Sequence, residues 1–412
     1  MLPPCAKLLS HFAEDPPGTI YPIDATHKAP APGFNTGVNP TNYQQKFLQA
    51  INKSPRDDLK ALLHRNGEPE VTAFSDLRNP PYAFSAALAD LTANPSKPQY
   101  AAFFDKDSIY PASLAKIGPI FAAHQLKFDA LQTAKQAPAD VSADPIKLKK
   151  WLFDRLQSDW KAKGLPQDRQ PVLKKILTVE PAGIGFTDNC LKQMKAITHP
   201  ESNDFDAAIN EMNNAMTFLI TNLHASYVGS ALLQSDLCDA QTGGFWLWSA
   251  WGEEWKCGAR PATLYAGQGS SEVQAWSAAT FLTLLKQRRL VSPDMSDQMK
   301  PVLQDGDTGW ASGGLGNVLT PAEMTSLAIW GKEGAWRGFA SEALLIERTT
   351  AAGKKLSYVV ACLLSSSAKV NEYPVALAEP DPKHRTVYRL LLRALVEVLI
   401  PALDGVIVAN NP

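Results

Sequence analysis

The chain has 412 residues, 45% hydrophobic and 20% charged, so it can build a sizeable core without disulfide staples, as one composite domain or as two lobes. Its 40 basic residues balance against 41 acidic ones, which gives no electrostatic reason to expect nucleic acid or an anionic membrane as a partner. The apolar runs are short or, like residues 396–403, broken by Pro401, so none reaches membrane-spanning length and the chain reads as soluble.

In chain order, Met1-Leu-Pro-Pro-Cys5 lacks the basic start, apolar stretch and small-residue cleavage site of a secretory leader. The compartment therefore stays open: periplasmic or secreted if a leader was removed, otherwise cytoplasmic. Residues 1–80 are rich in proline and polar residues around one helical stretch from about Thr41 to Leu63, and read as an N-terminal extension. Residues 82–91 and 99–105 read as two apolar strands joined by the turn-rich 92–97, a hairpin. From Ser113 the pattern turns helical, with Leu114, Ile117, Ile120 and Phe121 on one stripe.

A helical region continues to about Leu233, with helices at 147–163, 171–177 and 205–223 and a loop at 132–144; another helix covers 270–289. The last third changes period: 327–330, 340–348 and 355–364 read as strands, and 384–403 as a closing helix. Strands at both ends of a helical middle imply an α+β fold. Its mixed, antiparallel five-stranded sheet would be flanked by helices, with an enlarged helical lobe beside it. We expect residues 81–126 and 320–412 to form the sheet part, and 127–319 the helical lobe with a tryptophan-rich loop. The five cysteines are too few and scattered for a disulfide scaffold or a zinc cluster and read as buried thiols; a Cys238–Cys257 bridge is the competing reading.

A serine hydroxyl becomes a useful nucleophile when a nearby base takes its proton, and a lysine one helical turn later can do so. Ser-x-x-Lys occurs three times, at Ser113–Lys116, Ser158–Lys161 and Ser366–Lys369, so the motif alone decides nothing. The first copy follows a hairpin and opens an apolar helix just after Pro111, where free backbone N–H groups can hold an oxyanion. The second sits in an amphipathic helix and the third in a serine-rich turn.

At this point the sequence resembles the class A β-lactamase and penicillin-binding protein superfamily, whose elements run Ser-x-x-Lys, Ser-x-Asn, Lys-Thr-Gly. Tyr110-Pro-Ala-Ser-Leu-Ala-Lys116 looks like the first, His224-Ala-Ser-Tyr-Val-Gly-Ser230 like the second, and Trp330-Gly-Lys-Glu-Gly-Ala335 like the third, on a core strand. The layout covers about residues 82–405, and its specific part is these three segments. The resemblance implies Ser113 as acylated nucleophile, Lys116 as its base, Ser226 as proton relay and Lys332 as the group keeping that network electropositive. It also implies an oxyanion hole from the N–H groups of Ser113 and Ala335, close substrate approach at Gly334, and Tyr227 and Val228 beside the substrate.

Two departures bear on substrate. Val228 stands where the family has asparagine, and Glu333 where it has a hydroxyl residue that helps hold a substrate carboxylate, which a carboxylate would repel. Arg337 could neutralise Glu333 or bind an acid itself. Glu253 and Glu254 are the acids available to activate water in the loop after Ser226, without the family's Glu-x-x-x-Asn pattern. That loop holds Trp246, Trp248, Trp251 and Trp255 within ten residues, read as an aromatic plug or as a wall of the substrate cleft. Residues 117–225 separate Lys116 from Ser226, roughly twice the family's usual allowance.

The expectation is a serine hydrolase cleaving an amide, ester or lactam bond of a small-molecule or peptide-like substrate. A penicillin-binding, DD-peptidase-like protein and a catalytically inactive binding module are the alternatives. No Gly-x-Ser-x-Gly elbow, phosphate loop or His-Glu-x-x-His pair is present, so no metal or other cofactor and no nucleic acid is expected.

Overall fold

The structure is a computed structural model that describes residues 31–36, 41–65, 70–79, 82–202, 205–239, 242–247, 271–304, 315–336, 339–365 and 391–401. Its described residues divide into two compact units: those within 116–271 and 288–302 in one, and those within 30–115, 272–287 and 303–412 in the other. This division differs from the expected one. The boundary after Ala115 falls inside the Ser-x-x-Lys segment, and residues 31–79, expected as an extension, belong with the sheet.

The helical unit is built on α1 (Ile117–Ala134), α2 (Pro145–Ala162), α3 (Asp188–Thr198), α4 (Phe205–Leu223) and α5 (Ala225–Gln234). Helix α1 is buried almost continuously from Ile117 to Lys127 because α2, α4 and α5 all pack on it. Its neighbours begin where local chemistry says they should. The Asp144 side chain accepts from the Ile146 and Lys147 N–H groups, with Pro145 in the first turn, and Thr187 accepts from the Cys190 N–H; such caps stabilise by about 1 kcal/mol each. The expected 171–177 helix is one turn, Leu173–Ile176, and then a hairpin forms from Leu177–Glu180 and Gly183–Phe186. Glycines at 183 and 185 interrupt the helical period there.

The sheet unit contains β1 (Ala83–Asp90), β2 (Gln99–Phe103), β3 (Ala328–Trp336), β4 (Phe339–Thr349) and β5 (Lys355–Ser365) in the order β2-β1-β5-β4-β3. The first two strands pair beside the last three, as expected, but every pairing is antiparallel rather than mixed. The single expected helix at 41–63 is two, Thr41–Ile51 and Asp57–Arg65, because Pro55 ends the helical run.

Phe84, Ala86 and Leu88 of β1 share one face with Ala340, Leu344 and Ile346 of β4 and with Val360, Cys362 and Leu364 of β5. These residues join a core with Phe47 and Ile51 from the first helix and Leu395 and Leu399 from the helix at 391–401. Helix α6 (Ala275–Lys286) packs on β1, β4 and β5 and contributes nothing to that core, so it covers the other face. With both faces covered, β1 is buried along all eight residues, which explains its near-continuous apolar sequence. No described helix is long and apolar enough to cross a membrane.

Candidate active site

In the sheet unit the site candidates follow from strand register. Opposite β3, Lys332 pairs with Ala343, which continues to Ala361 and Ala87; Gly334 pairs with Ser341, which continues to Leu363 and Ser85. The row of alanines leaves room beside Lys332, whose side chain is fully buried. β3, expected as a core strand, is buried from Ile329 to Gly334 and stands at the edge of the sheet. Its apolar character comes from burial of the strand's faces rather than from pairing on both sides.

Ser113 lies in a 3₁₀ turn, Ala112–Lys116, and the α-helix starts only at Ile117. The preceding Ala112 holds a left-handed backbone, φ 47°, which costs a non-glycine residue roughly 1–2 kcal/mol and is found where surrounding structure imposes it. The imposing contacts are visible. The Ser341 hydroxyl donates to the Pro111 carbonyl, and a Cβ on Gly334 would stand 2.6 Å from the Ser113 and Leu114 nitrogens and closer still to the Pro111 oxygen. Only glycine lets β3 come so near the turn. Ser113 itself is half-buried among buried neighbours, and Ala335, the other expected oxyanion donor, is half-buried on β3.

Glu333 alternates to the face opposite Lys332 and Gly334. Its cross-strand neighbour is Glu342, followed by Cys362, and both carboxylates are buried. Burial, with Glu342 adding its charge, pushes the Cys362 thiol well above the ordinary range. Strand alternation therefore groups Glu333 with Glu342 and the core face, not with Lys332.

In the helical unit Lys116 is fully buried, and its Nζ donates to Asn213 Oδ1 at 2.7 Å. Asn213, on α4, was not singled out from the sequence; the available signal was an amide, a poor helix former, inside a helix whose neighbours Met212, Ala215 and Met216 are buried. His224, at φ 65°, separates α4 from α5, so Ser226 sits in the first turn of a helix. The Ser226 side chain is fully buried, and its hydroxyl has no hydrogen-bond partner among the described residues. Val228 is fully buried. Tyr227 is buried edge-on to Trp160, and burial, reinforced by the Asp129 charge, holds its hydroxyl well above the usual tyrosine range, so it stays neutral.

The competing Ser158 and Lys161 are both exposed on α2. Ser366–Lys369, Glu253, Glu254, Arg337, Cys257 and the tryptophans at 248, 251 and 255 lie outside the described residues. Trp246 is fully buried, and Cys190, Cys238 and Cys362 are buried. A surface depression of about 390 Å³ on the helical unit, lined by Asp188, Lys195, His199 and Glu211 among others, includes none of the candidates. Among the described residues no cluster of three or more His, Cys, Asp or Glu side chains could hold a metal ion.

No family model matches the chain, and no curated protein matches it. Among solved structures it is similar to a class A β-lactamase from Bacteroides cellulosilyticus, with 11% identity, a TM-score of 0.45, and coverage of 90% of this chain and 100% of that one. It is also similar to PBP-A, at 13% identity and a TM-score of 0.41, covering 86% of this chain and 98% of that chain. A β-lactamase from Sphaerobacter thermophilus gives 14% identity and a TM-score of 0.43, covering 80% of this chain and 95% of that chain. At these identities the likeness is one of fold, and it is distant.

Proposed function

We propose that the chain is a serine hydrolase that works through an acyl-Ser113 intermediate on an amide, ester or lactam bond of a small or peptide-like substrate. The observation that carries this reading is the imposed geometry around the serine. A left-handed Ala112, the Ser341 bond to Pro111 and the fit of Gly334 against the Ser113 nitrogen all fix one short turn. Strain maintained by several independent contacts is characteristic of a working site. In the 3₁₀ turn, residues three apart eclipse one another, which favours pairing of Ser113 with Lys116.

In this mechanism unprotonated Lys116 takes the proton from the Ser113 hydroxyl as its oxygen attacks the substrate carbonyl carbon. The resulting oxyanion accepts hydrogen bonds from the Ser113 and Ala335 N–H groups; as it collapses to the acyl-enzyme the bond to the leaving nitrogen or oxygen breaks, and Ser226 relays to that atom the proton taken up by Lys116. Lys332 keeps this network electropositive. Water then cleaves the acyl-enzyme, with Glu253 or Glu254 as the acid available to activate it.

A second reading, a domain of the same type that binds without turnover, is favoured by Val228. That residue is apolar and fully buried where the resemblance calls for an amide. Exposure of the protein to a penicillin, an activated ester and a D-alanyl peptide, followed by intact mass and product analysis, separates the readings. Turnover of any one, lost in Ser113→Ala, supports the hydrolase. A stable penicilloyl adduct points to a penicillin-binding protein, and equilibrium binding with no adduct or product points to the inactive module.

A further inference from the structure

We propose that Asn213, on α4, is a positioning residue for the base Lys116; the inference rests on the acyl-Ser113 reading. Lys116 has no exposed surface, so its Nζ needs acceptors within the protein, and Asn213 Oδ1 provides one at 2.7 Å. Once one N–H of a buried amine is directed at a fixed acceptor, the directions of its other positions, including the lone pair of the neutral form, are set. That orientation is what a general base needs toward a hydroxyl within reach. The acceptor's neutrality matters as well, since a carboxylate there would favour the ammonium and take Lys116 out of its basic form. Asn213 thus fixes the amine without the charge that would disable it.

Several titratable groups on the elements packed around α1 have other engagements. His124 Nδ1 faces the Ile120 carbonyl, and burial lowers this imidazole to about 4. Lys127 donates to Gln298, and Glu211 on α4 accepts from the Glu201 N–H. Asp129 acts on buried Tyr227 of α5 through its charge, while α2 pairs Lys150 with Asp154 and Arg155 with Asp159 at its surface.

The test uses the full chain with two readouts. The first is the titration of the Lys116 side-chain resonance in lysine-labelled protein, assigned with Lys116→Gln. The second is the pH profile of Ser113 labelling by a fluorophosphonate, followed by intact mass. Asn213→Asp should move both midpoints to higher pH by about 1 unit or more, because the new carboxylate stabilises the ammonium. Asn213→Leu should lower the labelling rate by about 10-fold or more at every pH while circular dichroism stays unchanged. If wild type labels and neither midpoint moves in Asn213→Asp, the Asn213 assignment is wrong and the acyl-Ser113 reading stands. If wild type never labels, the acyl-Ser113 reading falls and the positioning role falls with it.

Discussion

At the β2 edge of the sheet, the Gln44 side chain behaves like a short piece of strand: its amide nitrogen donates to the Ala102 carbonyl at 2.8 Å and its oxygen accepts from the Ala102 N–H at 2.9 Å. Asn35 adds a parallel bridge to Gln99. At the β3 edge the one isolated bridge among the described residues joins Gln304 to Trp330, and further along the same strand Gly334 lies against the Ser113 turn. An edge with unsatisfied backbone groups invites unwanted pairing, and proteins normally close it. Here one edge is closed by side-chain mimicry, and the other carries the sheet unit's candidate residues. The difference teaches where to look for function: the edge not closed by side-chain mimicry is the one held against the Ser113 turn, whose strained residue is Ala112.

The largest effect that would break this contrast comes from Gly334→Val. No side chain fits beside the Ser113 and Leu114 nitrogens, so β3 or the turn must shift. Fluorophosphonate labelling of Ser113 should fall about 100-fold or more, as expected when a catalytic constellation is misplaced by about 1 Å. Urea unfolding should show a loss of about 1–3 kcal/mol. A Gly334→Val protein that labels at the wild-type rate would remove β3 from the site.

Gln44→Leu attacks the other edge. Losing two hydrogen bonds to Ala102 should cost about 1–3 kcal/mol and promote self-association seen by light scattering, while Ser113 labelling stays at the wild-type rate. Equal losses of labelling from Gln44→Leu and Gly334→Val would erase the functional difference between the edges. Ser341→Ala, which removes the tie to the Pro111 carbonyl, should destabilise by about 1 kcal/mol and slow labelling several-fold. Ala112→Gly should change urea stability by less than about 1 kcal/mol, because relief of the left-handed strain and the added freedom of the unfolded chain oppose each other. A gain of several kcal/mol would show that the turn holds more strain than φ implies.

The sheet was legible because its strands are apolar runs bounded by turns, and the 205–223 helix because its period is clear. The edge position of β3 was not, since burial of both faces gives an edge strand the same composition as a central one. The hairpin at 177–186 was hidden by its brevity within a helical stretch. For the site, the motif copies could be ranked by context, and exposure of Ser158 and Lys161 agrees with passing over that copy. Glu333 was weighed as a substrate contact because a linear motif does not say which face of a strand a residue takes; register with Glu342 does. Ala112 escaped notice because a positive φ at alanine leaves no mark on neighbouring sequence, and Asn213 because an amide within an apolar helix does not say which distant residue it meets.

The central claim, that Ser113 is the nucleophile, is tested most directly by intact-mass spectrometry after fluorophosphonate treatment of wild type, Ser113→Ala and Ser158→Ala, with peptide mapping of the adduct. The account predicts one adduct on wild type and Ser158→Ala, mapped to Ser113, and none on Ser113→Ala. An unmodified wild-type protein, or an adduct that persists in Ser113→Ala, would contradict it.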